Sequence, residues 1–183
     1  MSVHTTAGTL TAGMSSDSTG RIGDLFDTHY DRLFRLARRL TSSHDDALDL
    51  VQETFLKAAR AAFIPAEATH AEAWLVRVLV NTRRDDWRKS ASRRQHDGQI
   101  ALGARPDSGP EAQAIARTIV WRALDALHPR RRAVMVLHEL EGLSASAIAA
   151  LLGVTTVTVR WHLSMGRREL TRALTSLTGD TPR

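Results

Sequence analysis

The chain has 183 residues, 43% of them apolar and 25% charged, enough for one large or two small folded domains. Its 25 Lys and Arg outnumber 20 Asp and Glu, for a formal charge of +5, a modest pointer to a polyanionic partner. There is no cysteine, which excludes disulfide scaffolds, thiolate zinc sites, iron–sulfur clusters and cysteine nucleophiles.

Met1 to Gly23 is rich in Ser, Thr, Gly and Ala and reads as a disordered tail without a secretory pattern. From Asp24, Leu25, Phe26, Tyr30, Leu33, Phe34, Ala37 and Leu40 recur at helical steps. Ser43 is the expected N-cap of a second helix, with Asp45 and Asp46 favourable in its first turn. That helix is expected to carry Ala47, Leu48, Val51, Phe55, Leu56 and Ala59 inward. Pro65 marks a loop from Ala62 to Thr69. A third helix follows from about Ala71 to Ser90, with Trp74, Leu75, Val78, Leu79 and Trp87 as its stripe. Gly98, Gly103, Pro106, Gly109 and Pro110 mark a linker, and helical periodicity resumes from Glu111 to about Leu177. No strand-like alternation appears. The expected fold is all-α: a domain over 24–92, a flexible linker over 93–112, a second domain over 113–177, and disordered ends at 1–23 and 178–183. The longest apolar runs, such as Ala145–Leu152, are too short to span a bilayer, so the reading is a soluble intracellular protein without membrane insertion.

The charge is unevenly distributed. Asp24 to Val76 carries six basic and nine acidic residues, whereas Arg77 to Arg94 carries seven basic and two acidic. Glu111 to Leu177 carries nine basic and five acidic residues. A charge run alone is usually a solvated helix face. Two separated basic segments beside candidate exposed aromatics favour nucleic acid, with salt-dependent binding.

The stretch from Leu143 to Leu163 is the most informative. Ser144 caps a short helix that buries Ile148, Ala149 and Leu152. Gly153 follows where a tight turn needs positive φ, and Val154 fills the corner. Thr155 caps a second helix whose inward residues are Val159 and Leu163. A small residue at the helix crossing, a turn glycine and a buried valine are what a DNA-binding helix-turn-helix requires. Thr156, Val157, Arg160, Trp161 and Ser164 then point outward. Arg160 is placed for guanine or phosphate, Thr156 and Val157 for thymine methyls, and Arg167 and Arg168 for phosphates.

On the second helix, Asp49, Gln52 and Glu53 share one polar face. Taken alone this is a surface stripe with a Glu53–Lys57 pair. No enzymatic reading competes. His138-Glu139 begins like a zinc-protease signature, but Gly142 stands where the second histidine belongs.

The run from Asp45 to Phe55, with Ala73-Trp74-Leu75 and then Asn81, Asp85 and Arg88, resembles region 2 of bacterial RNA polymerase sigma factors of the extracytoplasmic-function class. Ala123 to Arg130, Leu140 to Ser144 and the helix-turn-helix resemble region 4 of the same class. The resemblance covers about Asp24 to Leu174. It implies core RNA polymerase and promoter DNA as partners, an anti-sigma factor as a regulator, no cofactor, metal or small-molecule substrate, and action in the cytoplasm. It places Asp49, Gln52 and Glu53 on the polymerase clamp helices. The third helix and the loop before it would hold the melted minus-10 strand, with Arg77, Asn81, Arg84, Arg88 and Lys89 as candidates by charge and position. Thr155, Thr156, Val157, Arg160, Trp161, Ser164, Arg167 and Arg168 would meet the minus-35 duplex. The chain departs from the family at His162 and Met165, where basic residues are common.

Overall fold

A computed structural model describes residues 12–97 and 111–178, with side chains placed over 20–89 and 118–178. The expected disorder of 1–11 and 179–183, and the linker segment 98–110, lie outside the described residues. Helices α1 (Ala12–Leu40), α2 (His44–Ala59) and α3 (Ala68–Asp97) pack as one bundle. Helices α4 (Glu111–Asp125), α5 (Pro129–Met135), α6 (Ala145–Leu152) and α7 (Thr156–Thr178) form the second unit. A π-helical turn, Val136–Leu140, continues α5. No strand occurs among the described residues, and no single helix there is long and apolar enough to cross a membrane.

The first bundle closes on Leu33, Leu40, Val51, Leu75 and Leu79, all fully buried. Each contributes roughly 1.5–3 kcal/mol relative to exposure. Ser43 caps α2 as expected, its hydroxyl accepting from the Asp46 amide at 3.0 Å. The buried hydroxyls of Thr41 and Thr54 donate to the carbonyls of Ala37 and Leu50, so neither leaves an unsatisfied polar group. The second unit closes on Val134, Val136, Ile148 and Val159. Gly166 lets α7 approach α5 closely: a Cβ there would lie 2.9 Å from Met135 Cγ.

Three expectations need correction. The first helix starts at Ala12 instead of near Asp24, so 12–23 is helical, not a disordered tail. Its polar composition hid this. Ile22 packs against the core, and the Arg21 guanidinium donates to the carbonyls of Ile64 and Pro65 at 3.2 and 3.3 Å. The third helix runs from Ala68 to Asp97. Arg, Lys and Gln propagate a helix well, and the first glycine after the start of this helix is Gly98. In α2 the buried stripe is Ala47, Leu50, Val51, Thr54, Phe55 and Ala58. Leu56 and Ala59, expected inside, are exposed, because Phe55 and Ala58 already fill the core-facing side of that turn.

Candidate nucleic-acid interfaces and docking face

The helix-turn-helix is built as its sequence dictates. Ser144 Oγ accepts from the Ala147 amide at 3.1 Å and starts α6. Gly153 ends it at φ +66°, a conformation that costs a side-chain-bearing residue about 1 kcal/mol or more. Thr155 Oγ1 accepts from the Thr158 amide at 3.1 Å and starts α7. Ile148, Ala149, Leu152, Val159 and Leu163 are buried, so the register of α7 is fixed. That register exposes Thr155, Val157, Arg160, Trp161, Ser164, Arg167 and Arg168 and leaves Thr156 half-buried.

These residues form one surface with two kinds of cation. Arg160 and Arg168 have no carboxylate partner among the described residues. Arg167 instead donates to Glu139 at 2.8 Å, and this bond holds the Glu139 carboxyl below its usual range. Trp161 is half exposed while Arg131 of α5 lies 5.4 Å from its ring centre. Arg131 is itself fixed by an ion pair with Glu169, so the indole is held at the surface and does not fold into the core.

His162, at one of the positions where the family carries a base, points inward and is buried. Desolvation, then the charges of Arg130 and Arg131, push its imidazole down to about 4. It is neutral at physiological pH and supplies no charge to DNA. His138 is also engaged: its Nδ1 lies 2.8 Å from the Leu143 carbonyl oxygen, which steadies the loop ahead of α6.

On α3, Arg77, Asn81, Arg84 and Arg88 recur at four-, three- and four-residue steps and line one face. Arg88 and Lys89 are exposed, whereas Asn81 and Arg84 are half-buried. Arg84 pairs with Asp85 at 3.1 Å. Arg77 does not stand free with them: its guanidinium donates to the carbonyls of Ala150 and Leu151 at the end of α6. The preceding loop, 60–67, presents Phe63 at 73% exposure, the apolar group that composition alone did not single out.

The α2 face keeps Asp49 and Gln52 exposed, and Glu53 lies 4.0 Å from Lys57. Leu56 sits three residues beyond Glu53 and seven beyond Asp49, which places it on the same face. An acidic patch with an apolar centre suits a protein partner better than a plain charged stripe does. Sequence reading missed Leu56; its signal was the i+7 spacing from Asp49.

Comparison with known proteins agrees with this geometry. The sigma-70 region 2 family model matches residues 25–93, and the sigma-70 region 4 model matches residues 117–170. Region 2 followed by region 4 defines a promoter-recognising subunit of bacterial RNA polymerase. The ECF RNA polymerase sigma factor SigL of Mycobacterium tuberculosis is 32% identical over 170 residues, covering 91% of this chain and 96% of SigL. The chain belongs to the ECF family of RNA polymerase sigma factors. SigE of Mycolicibacterium smegmatis, also an ECF sigma factor, is 35% identical over 171 residues, which span 86% of this chain but 63% of SigE. Among solved structures, the sigma factor RpoE in complex with the anti-sigma factor NepR from Bartonella quintana superposes with a TM-score of 0.62. The two are 25% identical, and the match covers 87% of this chain and 97% of RpoE.

Proposed function

We propose that this sigma factor docks on core RNA polymerase through Asp49, Gln52, Glu53 and Leu56 and then reads a promoter with two separate surfaces. The exposed, acidic α2 face, where Glu53 lies 4.0 Å from Lys57, fits cationic residues on the polymerase clamp. The α3 face supplies Asn81, Arg84, Arg88 and Lys89 to the melted minus-10 strand, with Arg77 joining them once it leaves α6. Phe63 offers a ring on which an unstacked base can rest. The N-terminal half of α7 enters the major groove of the minus-35 duplex, where Arg160 and Val157 face base edges and Arg167 and Arg168 face phosphates. Thr155, Thr156, Trp161 and Ser164 complete that surface.

The observation that carries this reading is the register of α7, which buries Val159 and Leu163 and thereby exposes every member of the candidate minus-35 set except the half-buried Thr156. The work is done in the cytoplasm, where polymerase and DNA are. An anti-sigma factor is the third expected partner, as for the RpoE captured with NepR. No cofactor or small-molecule substrate enters the reading. The test is reconstituted transcription on genomic DNA with start sites mapped. Initiation at a limited set of promoters, dependent on this chain, supports the reading; start sites identical to those of core polymerase alone reject it.

A further inference from the structure

The half of α7 assigned to the major groove is short of hydrogen-bonding groups. From Thr156 to Gly166 the only charged residue is Arg160, since His162 is buried and held neutral. The Thr155 hydroxyl just ahead is committed to Thr158, accepting from its amide at 3.1 Å and lying 2.8 Å from its hydroxyl. Thr156 and Thr158 are half-buried. The exposed side chains of this stretch are Val157, Arg160, Trp161 and Ser164, so two of the four are large and apolar.

Val157 is 74% exposed and Trp161 51%. A lone exposed apolar residue is ordinary on a protein surface, but these two stand four residues apart and adjoin on one helix face. At about 100° per residue, Val157 lies between Arg160 on one side and Trp161 on the other. The indole is also seated before any DNA arrives. Arg131 lies 5.4 Å from its ring centre and is tied to Glu169, and the His162 ring meets it at 4.9 Å and 65°. Little ordering is left for the moment of binding.

Base edges in the major groove carry one apolar group, the C5-methyl of thymine; the rest are donors and acceptors. We infer that Val157 and Trp161 read two thymine methyl groups, and that this apolar pair, together with Arg160, sets the minus-35 sequence the chain selects. The inference rests on the assignment of α7 to the minus-35 duplex and adds what that helix selects there. Because the register of α7 half-buries Thr156, Trp161 takes the second place beside Val157. Residues four apart on a helix are about 6 Å apart along its axis, and successive base pairs are about 3.4 Å apart. The two methyls therefore belong to base pairs one or two steps apart. Removing one methyl from water strengthens binding about fourfold.

The test uses the holoenzyme, assembled from core polymerase and the full chain, and the promoter duplexes it selects from fragmented genomic DNA. Their shared minus-35 element should carry thymine, on either strand, at two pairs one or two steps apart. Uracil in place of thymine removes only the methyl, and each replacement should weaken binding about fourfold. Val157→Ala should abolish the uracil effect at one site and Trp161→Ser at the other, each leaving the second effect intact, with circular dichroism unchanged. Uracil without effect throughout the element overturns the inference. So does a uracil effect that persists in both variants, or a Trp161→Ser loss equal on every sequence, which would set the ring against the backbone. Arg160→Ala with Arg168→Ala separates these failures from failure of the underlying assignment. Weakened duplex binding in that variant with uracil neutral keeps α7 on the minus-35 duplex and discards the methyl reading. Unchanged binding removes α7 from the duplex, and the methyl reading with it.

Discussion

The two candidate DNA surfaces are both basic helix faces, but they are kept in different states. Along α7, Val157, Arg160, Trp161 and Arg168 stand in solvent without an ion-pair partner among the described residues. Along α3, Arg77 bonds to the end of α6, Arg84 to Asp85, and Trp87 lies against His128. The candidate duplex-reading helix is formed in advance by its fixed register. The candidate single-strand face is instead engaged in part by contacts within the chain, with Arg88 and Lys89 left exposed. The difference teaches that net positive charge locates a nucleic-acid face without saying whether the face is open.

Breaking the docking face should have the largest effect. Asp49→Lys with Glu53→Lys reverses the charge of the α2 patch, and affinity for core polymerase should fall by roughly two orders of magnitude or more. Thermal unfolding should barely change, because neither side chain is buried. Binding retained in that variant would remove the patch from the account. Leu56→Ser probes the apolar centre of the same face and should weaken polymerase binding by about 1 kcal/mol, again without loss of stability; a fall in Tm would return Leu56 to the core.

Arg160→Ala sharpens the comparison between base reading and backbone holding on α7. A loss of roughly 1–3 kcal/mol confined to one minus-35 base pair assigns Arg160 to a base edge. An equal loss on every sequence assigns it to phosphate. Arg168→Ala should behave in the second way and lower the salt slope of duplex binding by about one.

The smallest effect concerns His162. Its imidazole is held at about 4 by burial first and by Arg130 and Arg131 next, while an unfolded histidine titrates near 6.5. Between those values the unfolded chain binds a proton that the folded chain refuses, so stability is full above about 6.5 and declines as pH falls toward 4. Tm should drop by on the order of 5 °C across that window, and by less in His162→Leu. Equal drops in both would place the titrating group elsewhere.

Much of this was legible in advance. Ser43, Ser144, Gly153 and Thr155 are local devices whose chemistry acts within a few residues, and each stands where the sequence puts it. The inward Val159 and Leu163 fix the reading face for the same reason. What was hidden depends on long-range packing. Nothing near Arg132 in sequence reveals that it meets the end of α1, and Arg77 reads as a free cation until α6 lies beside it. Leu56 was assigned inward because apolar residues on amphipathic helices usually are, yet Leu50 and Ala58 occupy that side. His162 invited comparison with a basic family position, and only the packing of α5 against α7 shows it to be an interior residue.

The central claim is that an acidic helix face joins this chain to the polymerase while its DNA surfaces serve the promoter. The most direct measurement is the association of the purified chain with core polymerase lacking any other specificity subunit, followed by initiation from promoter DNA. The account predicts a stable complex that the Asp49→Lys/Glu53→Lys variant cannot form and that starts transcription at defined sites. A chain that binds promoter duplex by itself but never joins core polymerase would contradict it.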